Sequence, residues 1–330
     1  MQFLLLILGL AMIIKSADLL IDSSSKIARR YGVSTFVIGI TVIAFGTSAP
    51  ELAVGIISGI TQTNELTLGN IIGSSLSNTA LIVGLAAVIM PLSVKDSVVR
   101  REIPLLLGTQ IVLIVMLFAN GLLSRIDGLI LLLCFIGFML YVVKDSKESM
   151  KIQIDAQGDI DTDADGNQLS QEVVEKAGSE KLIKLWVISL LALAGLFAGG
   201  RLTVSSSTRI ALSFGLSETL IGLTVVAIAT TMPELITSIM AALKKEPDIV
   251  LGNCIGSNIF NILLVLGLSS VISPIDVEAA LWIDAAVMIA LTVFVLLVSC
   301  FRKAIRRNTG ILLLSVYIIY LVFKVVSVLI

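Results

Sequence analysis

Residues 41–51 read TVIAFGTSAPE, and residues 224–234 return as TVVAIATTMPE. Each stretch sets a proline and a glutamate, Pro50-Glu51 and Pro233-Glu234, inside an apolar run long enough to cross a bilayer. A carboxylate at membrane depth is costly and ordinarily faces a cavity or an ion path. Proline withdraws a backbone donor, so each helix is predicted to break there and to release carbonyls that can line a polar site. Two such breaks at matching positions in two halves are the sequence sign of a transporter's binding site.

Composition agrees with a membrane location. Of the 330 residues, 57% are apolar and 14% charged, with mean hydropathy +1.04. A soluble domain carries about 25% charged residues. The apolar runs last about 20 residues, enough for roughly 30 Å of hydrocarbon. The net charge of −1 carries little information, because the charges sit between the spans. Basic loops read as topology and not as a nucleic-acid footprint. Cys134, Cys254 and Cys300 form no CxxC pair and read as packing residues, and the absence of histidine removes the commonest proton relay and transition-metal ligand. The first apolar run, from Phe3, has no basic segment before it and reads as a retained helix.

The expected fold is an all-α membrane protein of ten transmembrane helices in two inverted five-helix repeats. The spans are predicted over 3–22, 33–60, 67–91, 103–120, 125–143, 182–204, 217–243, 248–272, 279–300 and 309–329. The first five-helix repeat is 1–143, a polar acidic loop follows over 144–181, and the second repeat is 182–330. Lys26, Arg29, Arg30, Lys95, Arg100, Arg101, Lys244 and Lys245 fall on one side with the central loop, whereas the opposite loops keep Arg125 and Arg209. The basic side is cytoplasmic, so both termini are expected outside a bacterial-type inner membrane.

The repeat runs at an offset of 183 without a gap. Thr41, Ala44, Thr47, Pro50 and Glu51 pair with Thr224, Ala227, Thr230, Pro233 and Glu234. Gly69-Asn70, Gly73-Ser74, Asn78 and Gly84 pair with Gly252-Asn253, Gly256-Ser257, Asn261 and Gly267. Five spans per half, an odd number, insert the copies in opposite orientation, as in alternating-access transporters.

Ala44, Thr47, Ser48 and Glu51 share one helix face, as do Ala227, Thr230, Thr231 and Glu234. Ser74 with Asn78, and Ser257 with Asn261, share faces in the third and eighth spans. This all-oxygen inventory suits hard cations, not zinc or copper. Two carboxylates match one Ca²⁺, which accepts six to eight oxygens in flexible geometry, whereas Mg²⁺ gives up water reluctantly. Hydroxyls and carbonyls could hold Na⁺ beside the shared carboxylates. Serine, threonine and glycine also pack helices in membranes, and for Gly39, Gly73 and Gly84 packing is the expected role.

The stretches GTSAPE, ATTMPE, GNIIGSSLSN and GNCIGSNIFN resemble the two α-repeats of the calcium:cation antiporter superfamily. The likeness is greatest to prokaryotic sodium/calcium exchangers, including a YrbG-like bacterial branch, and covers both halves but not the central loop. It implies that Glu51, Glu234, Thr47 and Thr230 bind Ca²⁺. It also implies Na⁺ sites from Ala44, Thr47, Ser48, Ser74 and Glu51, and from Ala227, Thr230, Thr231, Ser257 and Glu234, with Asn78 and Asn261 closing the central position. It further implies that spans one and six slide past the other eight. Departures are Ala229 against Gly46, Thr231 against Ser48, and Ser75 against Asn258. The amide of Asn261, acidic in potassium-dependent relatives, argues against K⁺ transport. Ca²⁺ and Na⁺ enter as transported ions; no enzyme chemistry, cofactor, nucleic acid or protein partner is read.

Weaker signals remain. Asp161, Asp163, Asp165, Gly166 and Glu172 match the EF-hand loop pattern, but KIQIDAQGDI before it has little helical periodicity. Lys15 and Asp18 are i, i+3 neighbours, and Asp18 could instead meet its repeat counterpart Arg201. Asp284, beside Trp282, is expected at the outer interface. Two rivals to Na⁺/Ca²⁺ exchange stand: a H⁺/Ca²⁺ antiporter using the same glutamates, and a calcium sensor working through Asp161–Glu172.

Overall fold

A computed structural model describes residues 1–61, 65–158, 182–214, 230–277 and 281–329. Helix α1 spans Gln2–Tyr31 and ends on Gly32 in left-handed conformation (φ 65°), a Cβ-free cap that accommodates a positive φ. The second span is two helices, α2 over Thr35–Thr47 and α3 over Ala49–Thr61, bent by 45°. There follow α4 (Thr67–Ile89), α5 (Val98–Ala119), α6 (Arg125–Gly158), α7 (Leu182–Ser213), α8 (Met232–Leu243), α9 (Pro247–Ile272), α10 (Leu281–Arg302) and α11 (Arg307–Leu329).

Eight of these are long and apolar enough to cross a membrane, or nine with the bent pair as one span. The remaining expected span, 217–243, is represented by α8 alone, its first part lying outside the described residues. Burial sorts the helices. In α9, 94% of the most apolar window is buried and in α4 78%, against 22% in α6 and in α11. Helices α4 and α9 are therefore the core, whereas α6 and α11 present most of their apolar side chains outward.

Three boundaries exceed the hydropathy reading. Helix α1 continues to Tyr31 and α7 to Ser213, because a helix does not stop where the bilayer does. Helix α6 runs 34 residues, about 50 Å at 1.5 Å per residue, and so carries KIQIDAQG as helix despite its weak periodicity. The EF-hand-like stretch itself, Asp161–Glu172, lies outside the described residues.

The core helices depart from α-geometry at matching places. Ser77–Ile82 in α4 and Asn261–Leu266 in α9 are both π-helical, as is Gly39–Ile43 in α2. A π-turn inserts a residue and re-aims the side chains that follow, and such turns gather at functional sites. Two short antiparallel ribbons tie distant loops. Strand β1 (Leu92–Ser93) pairs with β4 (Ala304–Ile305), and β2 (Leu122–Leu123) pairs with β3 (Ile275–Asp276). Residues Gly121 and Lys303, each just before a strand, both have positive φ (67° and 49°).

Helices α2 and α9 touch backbone to backbone. A Cβ placed on Gly252 would lie 2.7 Å from the Phe36 carbonyl oxygen, and one on Gly256 2.7 Å from that of Ile40. At Gly73 an added Cβ would meet nothing within 4 Å among the described residues, and the repeat counterparts of Ile40 and Ala44, residues 223 and 227, lie outside them.

Candidate functional site

The bend between α2 and α3 falls at Ser48, two residues before Pro50, which occupies the first turn of α3 where a missing N–H costs little. Pro233 sits likewise in the first turn of α8, after Thr231. Proline thus starts each second segment and does not kink an unbroken helix. Glu51 and Glu234 stand in those first turns, where a helix dipole favours negative charge.

Every described member of the expected site is buried: Ala44, Thr47, Ser48 and Glu51 from α2–α3, Ser74 and Asn78 from α4, Thr230, Thr231 and Glu234 at the head of α8, and Ser257 and Asn261 from α9. Ala227 lies outside the described residues. Glu51 and Glu234 are each 1% exposed, a burial that carboxylates tolerate only with partners or a cation.

Hydrogen bonds join the halves. Ser48 Oγ donates to Glu234 Oε1 at 3.4 Å. Thr47 Oγ1 donates to Asn253 Oδ1 at 3.0 Å and lies 3.3 Å from Ser257 Oγ. Asn253 Nδ2 donates to Ser238 Oγ at 3.0 Å. Asn78 Nδ2 donates to Asn258 Oδ1 at 2.9 Å, and Asn258 Nδ2 to Thr79 Oγ1 at 3.2 Å. Thus Thr47 is brought to Ser257, and Ser48 to Glu234, across the repeat boundary.

What lacks a partner is equally informative. Both oxygens of Glu51, Oε2 of Glu234, Ser74 Oγ, Asn78 Oδ1 and both ends of the Asn261 amide meet no hydrogen-bond partner among the described residues. Buried polar atoms are ordinarily satisfied, so such a set gathered between α3, α4, α8 and α9 calls for a ligand. It is made almost wholly of oxygen, the donor atom of Na⁺ and Ca²⁺. No cluster of three or more His, Cys, Asp or Glu occurs among the described residues, so any cation here leans on neutral oxygens beside two carboxylates.

Sequence reasoning missed Asn253, Ser238 and Asn258. Asn253 belongs to the repeated Gly-Asn pair and carried a signal that went unassigned; Asn258 was visible only as a departure from Ser75. The charges outside the site also rearrange. Asp18 keeps its local pair with Lys15 at 3.2 Å, but its interhelical partner is Lys244 at 2.6 Å and not Arg201, which is exposed. Lys244 also pairs with Asp22 at 2.5 Å. These groups line a cavity of about 480 Å³ with Ser25, Lys26, Arg29 and Glu246. Asp284, in the first turn of α10, is buried and paired with Lys324 at 2.6 Å. The lysine stem reaches it from the last turns of α11.

The sodium/calcium exchanger protein family model matches residues 1–144 and 184–326. The chain is 36% identical to the inner membrane protein YrbG of Escherichia coli (strain K12) over 321 residues, covering 96% of this chain and 94% of that protein. It is 32% identical to the sodium/calcium exchanger MaX1 of Methanosarcina acetivorans over 344 residues, with 97% of each covered. Among solved structures, the sodium-calcium exchanger NCX_Mj, soaked with 10 mM Na⁺ and zero Ca²⁺, superposes with TM-score 0.79 at 30% identity, covering 96% of this chain and 97% of that one. A matched family model over both halves, near-full-length relatives and a common backbone agree: the chain belongs to the sodium/calcium exchanger protein family.

Proposed function

We propose that this protein exchanges Na⁺ for Ca²⁺ across a bacterial-type inner membrane by alternating access. In this reading ten spans form two inverted five-helix repeats over 1–143 and 182–330, both termini lie outside, and 144–181 is cytoplasmic. Ca²⁺ binds between Glu51 and Glu234 with Thr47 and Thr230. Na⁺ occupies flanking positions made by Ala44, Thr47, Ser48 and Ser74, and by Ala227, Thr230, Thr231 and Ser257, with Asn78 and Asn261 at the centre. Both ions contest the same carboxylates, so one must leave before the other binds. Competition, joined to a switch permitted only to loaded states, gives antiport.

The observation that carries this reading is the pair of glutamates, each 1% exposed: both oxygens of Glu51 and one oxygen of Glu234 are unpartnered among the described residues. The names of the exchanger relatives support it. Proton-coupled Ca²⁺ antiport on the same glutamates is the alternative. The hydroxyls favour Na⁺, because Ser48 Oγ already sits 3.4 Å from Glu234 and a proton carrier needs no such oxygen.

Proteoliposomes loaded with Na⁺ and diluted into Na⁺-free buffer should accumulate radiolabelled Ca²⁺, and choline-loaded ones should not. Glu51→Gln and Glu234→Gln should each abolish uptake while the protein still elutes as a folded species. Uptake driven by a pH gradient alone would transfer the coupling to protons. Ca²⁺ flux surviving in either variant would remove the glutamates from the site.

A further inference from the structure

The two central amides occupy equivalent places in the repeat, Asn78 in α4 and Asn261 in α9, yet their surroundings differ. Asn78 spends its Nδ2 on Asn258 Oδ1 at 2.9 Å, and Asn258 is itself fixed by donating to Thr79 Oγ1 at 3.2 Å. An amide has one donor end and one acceptor end. With the donor end engaged, the Asn78 carbonyl oxygen points elsewhere, and it is buried without a partner among the described residues. Both ends of the Asn261 amide lack a partner there.

The cause is one residue. At the offset of 183, the counterpart of Asn258 is Ser75. Ser75 is fully buried, but its Oγ lacks a partner among the described residues. A serine side chain has two fewer heavy atoms than asparagine, reaches one atom less far, and offers no carbonyl to receive an amide N–H. The contact that holds Asn78 has no equivalent for Asn261.

We propose that Asn258 is a positioning residue that holds the Asn78 carbonyl toward the ion site, while Ser75 leaves the Asn261 amide free to rotate. The inference rests on the cation site proposed above and adds an inequality between its halves. A cation requires the oxygen end of an amide. Asn78 presents it in advance, so binding there costs no reorganisation. Asn261 can turn either oxygen or N–H toward the centre and so adapts to whichever ion or carboxylate state it meets. Outer partners of cation ligands typically contribute about 10–100-fold to affinity when they orient them.

The test is Ca²⁺ binding to the detergent-solubilised full chain by titration calorimetry, in a two-residue cycle. Asn258→Ser should weaken binding by about tenfold. In an Asn78→Ala background the same change should alter binding less than about twofold, because nothing remains to be oriented. An equal loss in both backgrounds, or no loss in the first, overturns the inference. If Asn258→Ser does not fold, Ser75→Asn serves: it supplies Asn261 with an amide partner and should tighten Ca²⁺ binding, and unchanged binding overturns the inference. Glu51→Gln separates the two proposals. If it binds Ca²⁺ as the parent does, the site reading fails; if it loses binding while Asn258→Ser does not, the positioning inference alone fails.

Discussion

Thr47 joins the first half of the chain to two residues of the second. Its hydroxyl bridges Asn253 and Ser257 from α9 while its backbone stands one turn before Glu51. Thr47→Val keeps the shape and deletes the hydroxyl. A hydrogen bond inside a membrane averages about 0.6 kcal/mol, so thermal unfolding should move little. Exchange should lose far more, because a cation oxygen goes with it: the half-saturating Ca²⁺ concentration should rise about tenfold in vesicle uptake. An unchanged half-saturation would reduce Thr47 to packing. That Thr47, Ser48 and Glu51 share a face and recur at the offset of 183 was legible from spacing. The supports were not. Asn253 and Asn258 act through side chains on another helix, and Lys324 reaches Asp284 across two helices, contacts that sequence spacing cannot encode.

At the scale of elements, the broken span was readable from Pro50, but the position of the break was not. Proline permits a helix to start, and Ser48 is where the previous one ends. Gly252 faces another backbone, and the sequence alone does not show it. Gly252→Val should push α2 off α9, displace Thr47 and Ala44, and lower both folded yield and transport. The yield from size-exclusion chromatography, set against that of the parent, checks this. Helix α1 is held to the end of α8 by Lys244, which meets Asp18 and Asp22. Partly exposed pairs contribute about 1 kcal/mol or less. Lys244→Met should therefore change maximal exchange rate by no more than about fivefold and leave Ca²⁺ half-saturation alone; a shift in half-saturation would place the lysine on the ion path.

For the whole molecule, the coupling ratio sets what the bilayer can do. If three Na⁺ exchange for one Ca²⁺, one net charge moves per cycle, worth about 2.3 kcal/mol per 100 mV. A K⁺ diffusion potential, positive inside, should then speed Ca²⁺ entry coupled to Na⁺ exit, and one negative inside should slow it; insensitivity to either sign would require an electroneutral ratio. The overall class was legible from mean hydropathy and repeat spacing, because both follow from the solvent each residue meets. The lengths of α1, α6 and α7 were not, since hydropathy reports the bilayer and not the helix.

The two ribbons bind strands far apart along the chain: Leu92–Ser93 waits for Ala304–Ile305, and Leu122–Leu123 for Ile275–Asp276. A ribosome completes the early strands long before their mates emerge. The first half is thus born with open edges that only the second half can close. Nascent chains arrested near residue 250 should remain cleavable by protease at 92–93 and 122–123; the 122–123 site should become protected once 275–276 has emerged, and the 92–93 site only once 304–305 has. Synthesis order makes assembly of this protein a late event, sealed from its far end.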